Sequence, residues 1–104
     1  MEFHLVTCIV ERGRGERVAD EAIRAVAQGA TIYQARGKGV RERLGASGGL
    51  IDPEKDVILI VTKQAQTQRV FDTVVKAGRL HDSGQGFAYV QLVQQAVGFV
   101  DHTP

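Results

Sequence analysis

The chain has 104 residues, 43% hydrophobic and 24% charged, which predicts a single domain over residues 1–104 with a modest core. A net charge of +1 gives no overall field that favours nucleic acid, and no apolar run approaches the roughly 20 residues of a membrane helix. The only cysteine, Cys8, excludes an internal disulfide, and the N-terminus lacks a signal-peptide pattern, so we expect a cytoplasmic location.

The first part of the chain predicts a strand, a helix and a second strand. Residues 3–10 are apolar and largely β-branched, which is typical of a central strand. From Glu16 the apolar residues recur at helical spacing, and Gly29 is predicted to end this helix. Residues 30–36 predict the second strand. The apolar stripe of the helix consists of Val18, Ala19, Ala22, Ile23 and Val26.

The second part repeats this order. Residues 56–62 predict a strand, with Pro53 just before it, where a missing N–H does little harm. Residues 66–77 predict a helix that Gly78 ends, and residues 87–93 predict another strand. The apolar stripe of this helix consists of Val70, Phe71, Val74 and Val75.

The order β-α-β, loop, β-α-β predicts an α+β, ferredoxin-like fold: an antiparallel sheet with both helices on one face. The tail at 96–104 carries further apolar residues and suggests a short final strand. Such a fold leaves one sheet face and the strand edges uncovered, which favours an oligomer.

Two glycine-containing loops are the candidates for function. Residues 36–43 hold four cations against Glu42 alone, a net charge of +3 on a chain whose total is +1. Residues 78–86 contain Gly84-Gln85-Gly86 directly before a strand. Glycines let a backbone approach a ligand, and successive N–H groups can bind an anion. Taken singly, each loop could also be a solvated hinge or a helix cap followed by a turn.

The architecture and three segments resemble the PII signal-transduction superfamily, in a non-classical branch. The segments are GKGVRERLG, PEKDVILIV and AGRLHDSGQGFAYVQLV, and the resemblance covers residues 3–100. Residues 37–55 resemble the family's T-loop and residues 78–86 its B-loop. The T-loop tyrosine of the classical nitrogen sensors has no counterpart, since Tyr33 lies in a strand.

The resemblance implies a homotrimeric regulatory protein, not an enzyme. It implies an adenine nucleotide (ADP, AMP or ATP) in clefts between subunits, and a membrane transport protein or metabolic enzyme contacted through the loop at 37–52. No other cofactor and no metal is expected. The positions that match the family's site are Ile9, Thr31, Gly37, Gly39, Thr62, Gly84, Gln85 and Gly86. Because Gln85 is neutral and the tail at 100–104 has no arginine, we expect Lys38, Arg41 and Arg79 to supply phosphate charge.

Three alternatives stay open at this point. They are a trimer of the divalent-cation-tolerance type without nucleotide, a small enzyme acting on an anionic substrate, and a purely structural module. Cys8 is expected to be a buried, inert thiol, because it sits in an apolar strand. His81-Asp82 could act as a metal or acid–base pair, but no second pair stands at ligand spacing.

Overall fold

The computed structural model describes residues 2–37 and 53–99, which form one four-stranded sheet and two helices. The strands are β1 (Phe3–Glu11), β2 (Thr31–Arg36), β3 (Glu54–Lys63) and β4 (Gly86–Val93). The helices are α1 (Gly15–Ala25) and α2 (Gln64–Ala77). All pairings are antiparallel in the order β2-β3-β1-β4. This confirms the predicted ferredoxin-like α+β fold.

One face of the sheet is covered by both helices, and the core lies between them. Alternate residues of β1 and β3 point to this side, because side chains alternate across a strand. They meet the apolar stripe of each helix. The fully buried residues of this core include Val6, Cys8, Val10, Val18, Ala22, Ile58, Ile60, Val70 and Val74.

The helices leave the opposite face of the sheet uncovered, and among the described residues Phe99 packs against one end of it, at Phe3. Tyr33, Phe87 and Tyr89 lie on it and are 49%, 62% and 37% exposed. The rings of Phe87 and Tyr89 contact each other, with centroids 5.5 Å apart. Exposed aromatic residues clustered on one sheet face mark an interaction surface.

Helix α1 ends four residues before the predicted position, at Ala25 instead of near Gly29. The N–H groups of Val26 and Ala27 both donate to the Ala22 carbonyl, and Val26 leaves the helical region with φ −168°. This turn buries Ala27, which is 8% exposed. Ile23 was assigned to the apolar stripe but is 46% exposed, because the buried stripe of α1 is narrower and consists of Val18, Ala19 and Ala22, with Val26 partly buried against the core.

Strand β3 begins two residues earlier than predicted, so Glu54 and Lys55 belong to the sheet and not to the loop at 37–55. Register explains the extension, since Glu54 pairs with Arg36 and Lys55 pairs with both Ala35 and Glu11.

The predicted final strand is absent from the described part of the tail, 94–99. Gly98 adopts φ +92°, which breaks an extended run, and Phe99 packs on Phe3 with ring centroids 4.9 Å apart.

Candidate functional site

The turn between β1 and α1 is fixed by a buried carboxylate from β3. Asp56 is 6% exposed, and its Oδ2 accepts hydrogen bonds from the N–H groups of Gly13 and Gly15, each at 2.9 Å. Helix α1 has no side-chain cap of its own, so Asp56 caps it from another strand and places negative charge at the positive end of the helix dipole. Gly15 must be glycine here, since an added Cβ would lie 2.7 Å from the Asp56 Cβ.

Arg14 lies in the middle of this turn and holds the glycine-containing loop at 78–86. Its guanidinium donates to the Gly78 carbonyl at 2.6 Å and to the Gln85 carbonyl at 3.0 Å. Gly78 is the C-cap of α2, where the helix dipole is negative and a cation is favoured. One side chain therefore contacts both ends of the loop.

The end of α2 has a left-handed residue, and that residue is not a glycine. Gly78 ends the helix as predicted, but it keeps φ −84°, and Arg79 adopts φ +54°. The Arg79 N–H donates to the Lys76 carbonyl and the Leu80 N–H to the Val75 carbonyl, which is the Schellman pattern. The Arg79 guanidinium pairs with Asp82, with Nη2 3.0 Å from Oδ2, and its side chain is 69% exposed.

Backbone strain at Arg79 predicts a measurable difference between two substitutions. Both Arg79→Gly and Arg79→Ala remove the Asp82 pair, but only glycine adopts positive φ at no steric cost. We expect the glycine variant to be more stable than the alanine variant by about 1 kcal/mol, read from urea unfolding at one protein concentration. An alanine variant of equal or greater stability would contradict a left-handed Arg79.

The loop returns to the sheet through two glycines with positive φ, Gly84 at +78° and Gly86 at +153°. A Cβ on Gly84 would meet nothing within 4 Å. A Cβ on Gly86 would collide with the Ile9 carbonyl oxygen and would lie 2.9 Å from Leu80 Cδ2. Gly86 thus lets the loop lie directly against β1.

A cleft of about 230 Å³ opens where this loop meets the end of the sheet. Its residues are Ile9, Val10, Glu11, Lys55 and the run Gly84 to Phe87. Lys55 is 6% exposed and lies opposite Glu11 in the β1–β3 register. The cleft therefore combines a buried cation with the Glu11 carboxylate opposite it, a glycine-flanked amide segment and an apolar wall.

Four of the predicted site residues come together in this cleft: Ile9, Gly84, Gln85 and Gly86. Arg79 belongs to the same loop but does not line the cleft, because its side chain pairs with Asp82. The Gly37 N–H donates to the Pro53 carbonyl at 2.8 Å and closes the base of the longer loop. Lys38, Gly39 and Arg41 lie outside the described residues.

Thr31 and Thr62 lie apart from the cleft within one chain. Thr31 is on β2, the opposite edge of the sheet from β4, about 14 Å away at the usual strand spacing. Thr62 is 2% exposed and faces the helices, with its Oγ1 2.7 Å from Thr67 Oγ1. Thr67 Oγ1 is also 2.7 Å from His4 Nδ1, so Thr62 belongs to a buried polar cluster beneath α2.

The thiol of Cys8 is fully buried beneath the helices. Burial raises its pKa from 9.0 to about 11, and the nearby positive charge of Arg14 offsets part of that rise. A thiol with so high a pKa is a poor nucleophile near neutral pH.

This raised pKa predicts a loss of stability in alkali. The folded state disfavours the thiolate, so the thiol's contribution is complete below the unfolded pKa of 9.0 and is lost as the pH rises towards about 11. Urea unfolding across this range should show a steeper decline for the native protein than for Cys8→Ala, a comparison that cancels the titration of the tyrosines. If the stability of both proteins declines in parallel with pH, the raised pKa of Cys8 is contradicted.

Within residues 2–37 and 53–99, no group of three or more His, Cys, Asp and Glu side chains is placed to hold a metal ion. His81 and Asp82 are exposed, and Asp82 is engaged by Arg79.

Several residues of the site were not predicted from the sequence, among them Phe87 in the cleft and the three framework residues Arg14, Lys55 and Asp56. Arg14 lies between two glycines directly after a strand, and that pattern was available as a signal. Lys55 and Asp56 gave no such signal, since their roles depend on partners more than 40 residues away in the chain.

The family model of the nitrogen regulatory protein P-II matches residues 3–100. The chain belongs to the P-II family. Members of this family are generally regulatory proteins and not enzymes, and they generally assemble as oligomers that respond to effectors. No curated protein gave a significant match. Neither helix in the described part of the chain is long and apolar enough to cross a membrane.

Proposed function

We propose that this P-II protein is a homotrimeric regulator that binds an adenine nucleotide in clefts between its protomers. The observation that carries this proposal is the cleft at the end of the sheet, where Gly84, Gln85 and Gly86 lie beside Ile9 and the buried Lys55. ADP, AMP and ATP all carry the two groups that this cleft is suited to bind, a phosphate and an aromatic base.

Three parts of the cleft suit parts of a nucleotide. The glycine-flanked segment 84–86 brings backbone close to a bound anion, and the buried Lys55, opposite Glu11 in the sheet, contributes positive charge to the same cleft. Ile9 and Phe87 offer apolar surface to an aromatic base. Arg79 would add phosphate charge only by leaving Asp82.

The size of the cleft and its position support a site shared between protomers. About 230 Å³ is less than the roughly 300 Å³ at which drug-sized ligands begin to be enclosed. Phe87 is 62% exposed, so a second chain packed on the open sheet face would deepen the cleft and cover this ring. Thr31, on the far edge strand, would reach a nucleotide only from the neighbouring protomer.

The regulatory step of the proposal uses the loop at 37–52, which includes Lys38, Gly39 and Arg41. Its base is closed by Gly37 and Pro53, and Lys55 in the cleft is two residues from Pro53. A ligand that binds Lys55 therefore acts close to the loop's base. If the nucleotide binds more tightly to one conformation of the loop than to another, its binding shifts the loop towards that conformation. The loop would in this way control a partner, such as a membrane transport protein or a metabolic enzyme.

Calorimetry with ADP, AMP and ATP tests whether the protein binds a nucleotide. Titrations with Cu(II) and Zn(II) test the alternative of a divalent-cation function. We expect one nucleotide site per protomer and an affinity at least about tenfold lower for Lys55→Gln, since a charged hydrogen bond is lost. The matched control is Lys76→Gln on the exposed face of α2, which should bind as the native protein does. Deletion of residues 38–50 should also weaken binding if Lys38 and Arg41 contact phosphate. No heat with any of the three nucleotides would overturn the proposal.

A further inference from the structure

Arg14 connects two parts of the molecule that are far apart in the sequence. It is 64 residues from Gly78 and 71 from Gln85, yet its guanidinium donates to the carbonyl groups of both. These two residues bracket the loop, so the side chain fixes its first and last turns together. Arg14 is not among the residues that line the cleft, although it contacts Gln85, which is.

The position of Arg14 is itself fixed from β3. Asp56 accepts the N–H groups of Gly13 and Gly15, the two neighbours of Arg14, and the Arg12 N–H donates to the Glu54 carbonyl at 3.2 Å. Glu54 and Asp56 flank Lys55 on the strand that begins at the base of the longer loop. The turn at 12–15 therefore lies between the bases of the two loops.

We propose that Arg14 is a positioning residue that holds the loop at 78–86 in its ligand-binding conformation. The inference rests on the proposed function, because the conformation it describes is that of the nucleotide cleft. Holding the Gln85 carbonyl fixes the plane of the peptide between Gln85 and Gly86, and with it the direction in which that backbone faces the cleft. Nucleotide affinity should then depend on a side chain that does not touch the nucleotide.

The chemistry of the contact explains why an arginine is present. A planar guanidinium has several N–H donors in a fixed fork and can serve two carbonyl groups at once. A lysine ammonium is a compact point charge on a flexible stem, and we expect it to hold one of the two carbonyl groups but not both. The negative end of the α2 dipole at Gly78 favours the positive charge in either case.

The test compares Arg14→Gln and Arg14→Lys with Arg17→Gln, a control that removes the same charge from an exposed position of α1. The first readout is hydrogen exchange without ligand at the amides of Asp82 and Gln85, which donate to the Arg79 and Asp82 carbonyls. We expect Arg14→Gln to speed this exchange about tenfold. Amides of β1 and β3 should exchange at native rates, which separates local opening from unfolding.

The second readout is ADP affinity by calorimetry. We expect Arg14→Gln to lower it about tenfold, Arg14→Lys to fall between that variant and the native protein, and Arg17→Gln to leave it unchanged. Native exchange at Asp82 and Gln85 in both Arg14 variants would overturn the inference, and so would native affinity in both. If Arg14→Gln does not fold, the same two measurements on Arg14→Lys decide whether Arg14 positions the loop.

The two proposals fail in different ways. If the native protein binds no nucleotide, the proposed function fails, and the exchange data alone decide whether Arg14 holds the loop. If the native protein binds ADP and the Arg14 variants bind it equally well, only the positioning role fails.

Discussion

Gly86→Ala is expected to destabilise the protein by about 3 kcal/mol, because a strained backbone and a steric collision act together. The residue has φ +153°, and the new Cβ would meet the Ile9 carbonyl oxygen, which is fixed in the central strand. It would also lie 3.1 Å from Val10 Cγ1. Relief requires β4 to move away from β1, which would also widen the cleft.

The matched control for this prediction is Gly84→Ala, two residues earlier in the same loop. Gly84 also has positive φ, at +78°, but an added Cβ there meets open space. Only the cost of a positive φ for alanine remains, and we expect the free energy of unfolding to fall by about 1 kcal/mol. Urea unfolding followed by circular dichroism measures both variants. Equal losses of stability in the two variants would show that the close approach of Gly86 to β1 does not add to the cost of Gly86→Ala.

Asp56→Ala is expected to cost about 3 kcal/mol, since the carboxylate accepts two backbone N–H groups at the start of α1. The substitution leaves the buried Gly15 N–H without its acceptor, and the turn that carries Arg14 loses its anchor. We also expect the loop at 78–86 to loosen, because Arg14 holds it from this turn.

Two further variants separate these contributions. Asp56→Asn keeps a carbonyl acceptor without the charge and should lose about half as much stability. Asp20→Ala removes an exposed carboxylate from the same helix and should change stability by less than about 0.5 kcal/mol. Unfolding of the three variants at equal protein concentration provides the comparison. A loss for Asp56→Ala as small as that for Asp20→Ala would contradict the capping role.

The sheet and both helices could be predicted because their signals are local. Alternation and apolar runs identified all four strands. They did not give the register, which pairs Ile9 with Phe87 and Val10 with Gly86 at the end of the sheet that forms the cleft. The end of α1 was wrong because Gly29 is a good local stop signal, whereas the helix ends where Ala27 turns into the core. Tertiary packing overrode a correct local preference.

The framework of the site could not be predicted, because it depends on side chains that contact distant backbone. Asp56 caps a helix that begins 41 residues earlier, and Arg14 caps one that ends more than 60 residues later. Neither residue has the sequence pattern of a cap, which is read from neighbours within one turn. Arg79 shows the converse: Gly78 marks the end of α2, but the left-handed conformation falls on the arginine after it.

The most direct measurement of the central claim is a titration of the ¹⁵N-labelled protein with ADP, followed by amide chemical shifts. We predict that the largest changes fall on Gly84, Gln85 and Gly86, with smaller ones at Ile9 and Lys55, and that the same groups respond to ATP. Shifts confined to residues of α1 and α2, or no shifts at millimolar nucleotide, would contradict a nucleotide site at this end of the sheet.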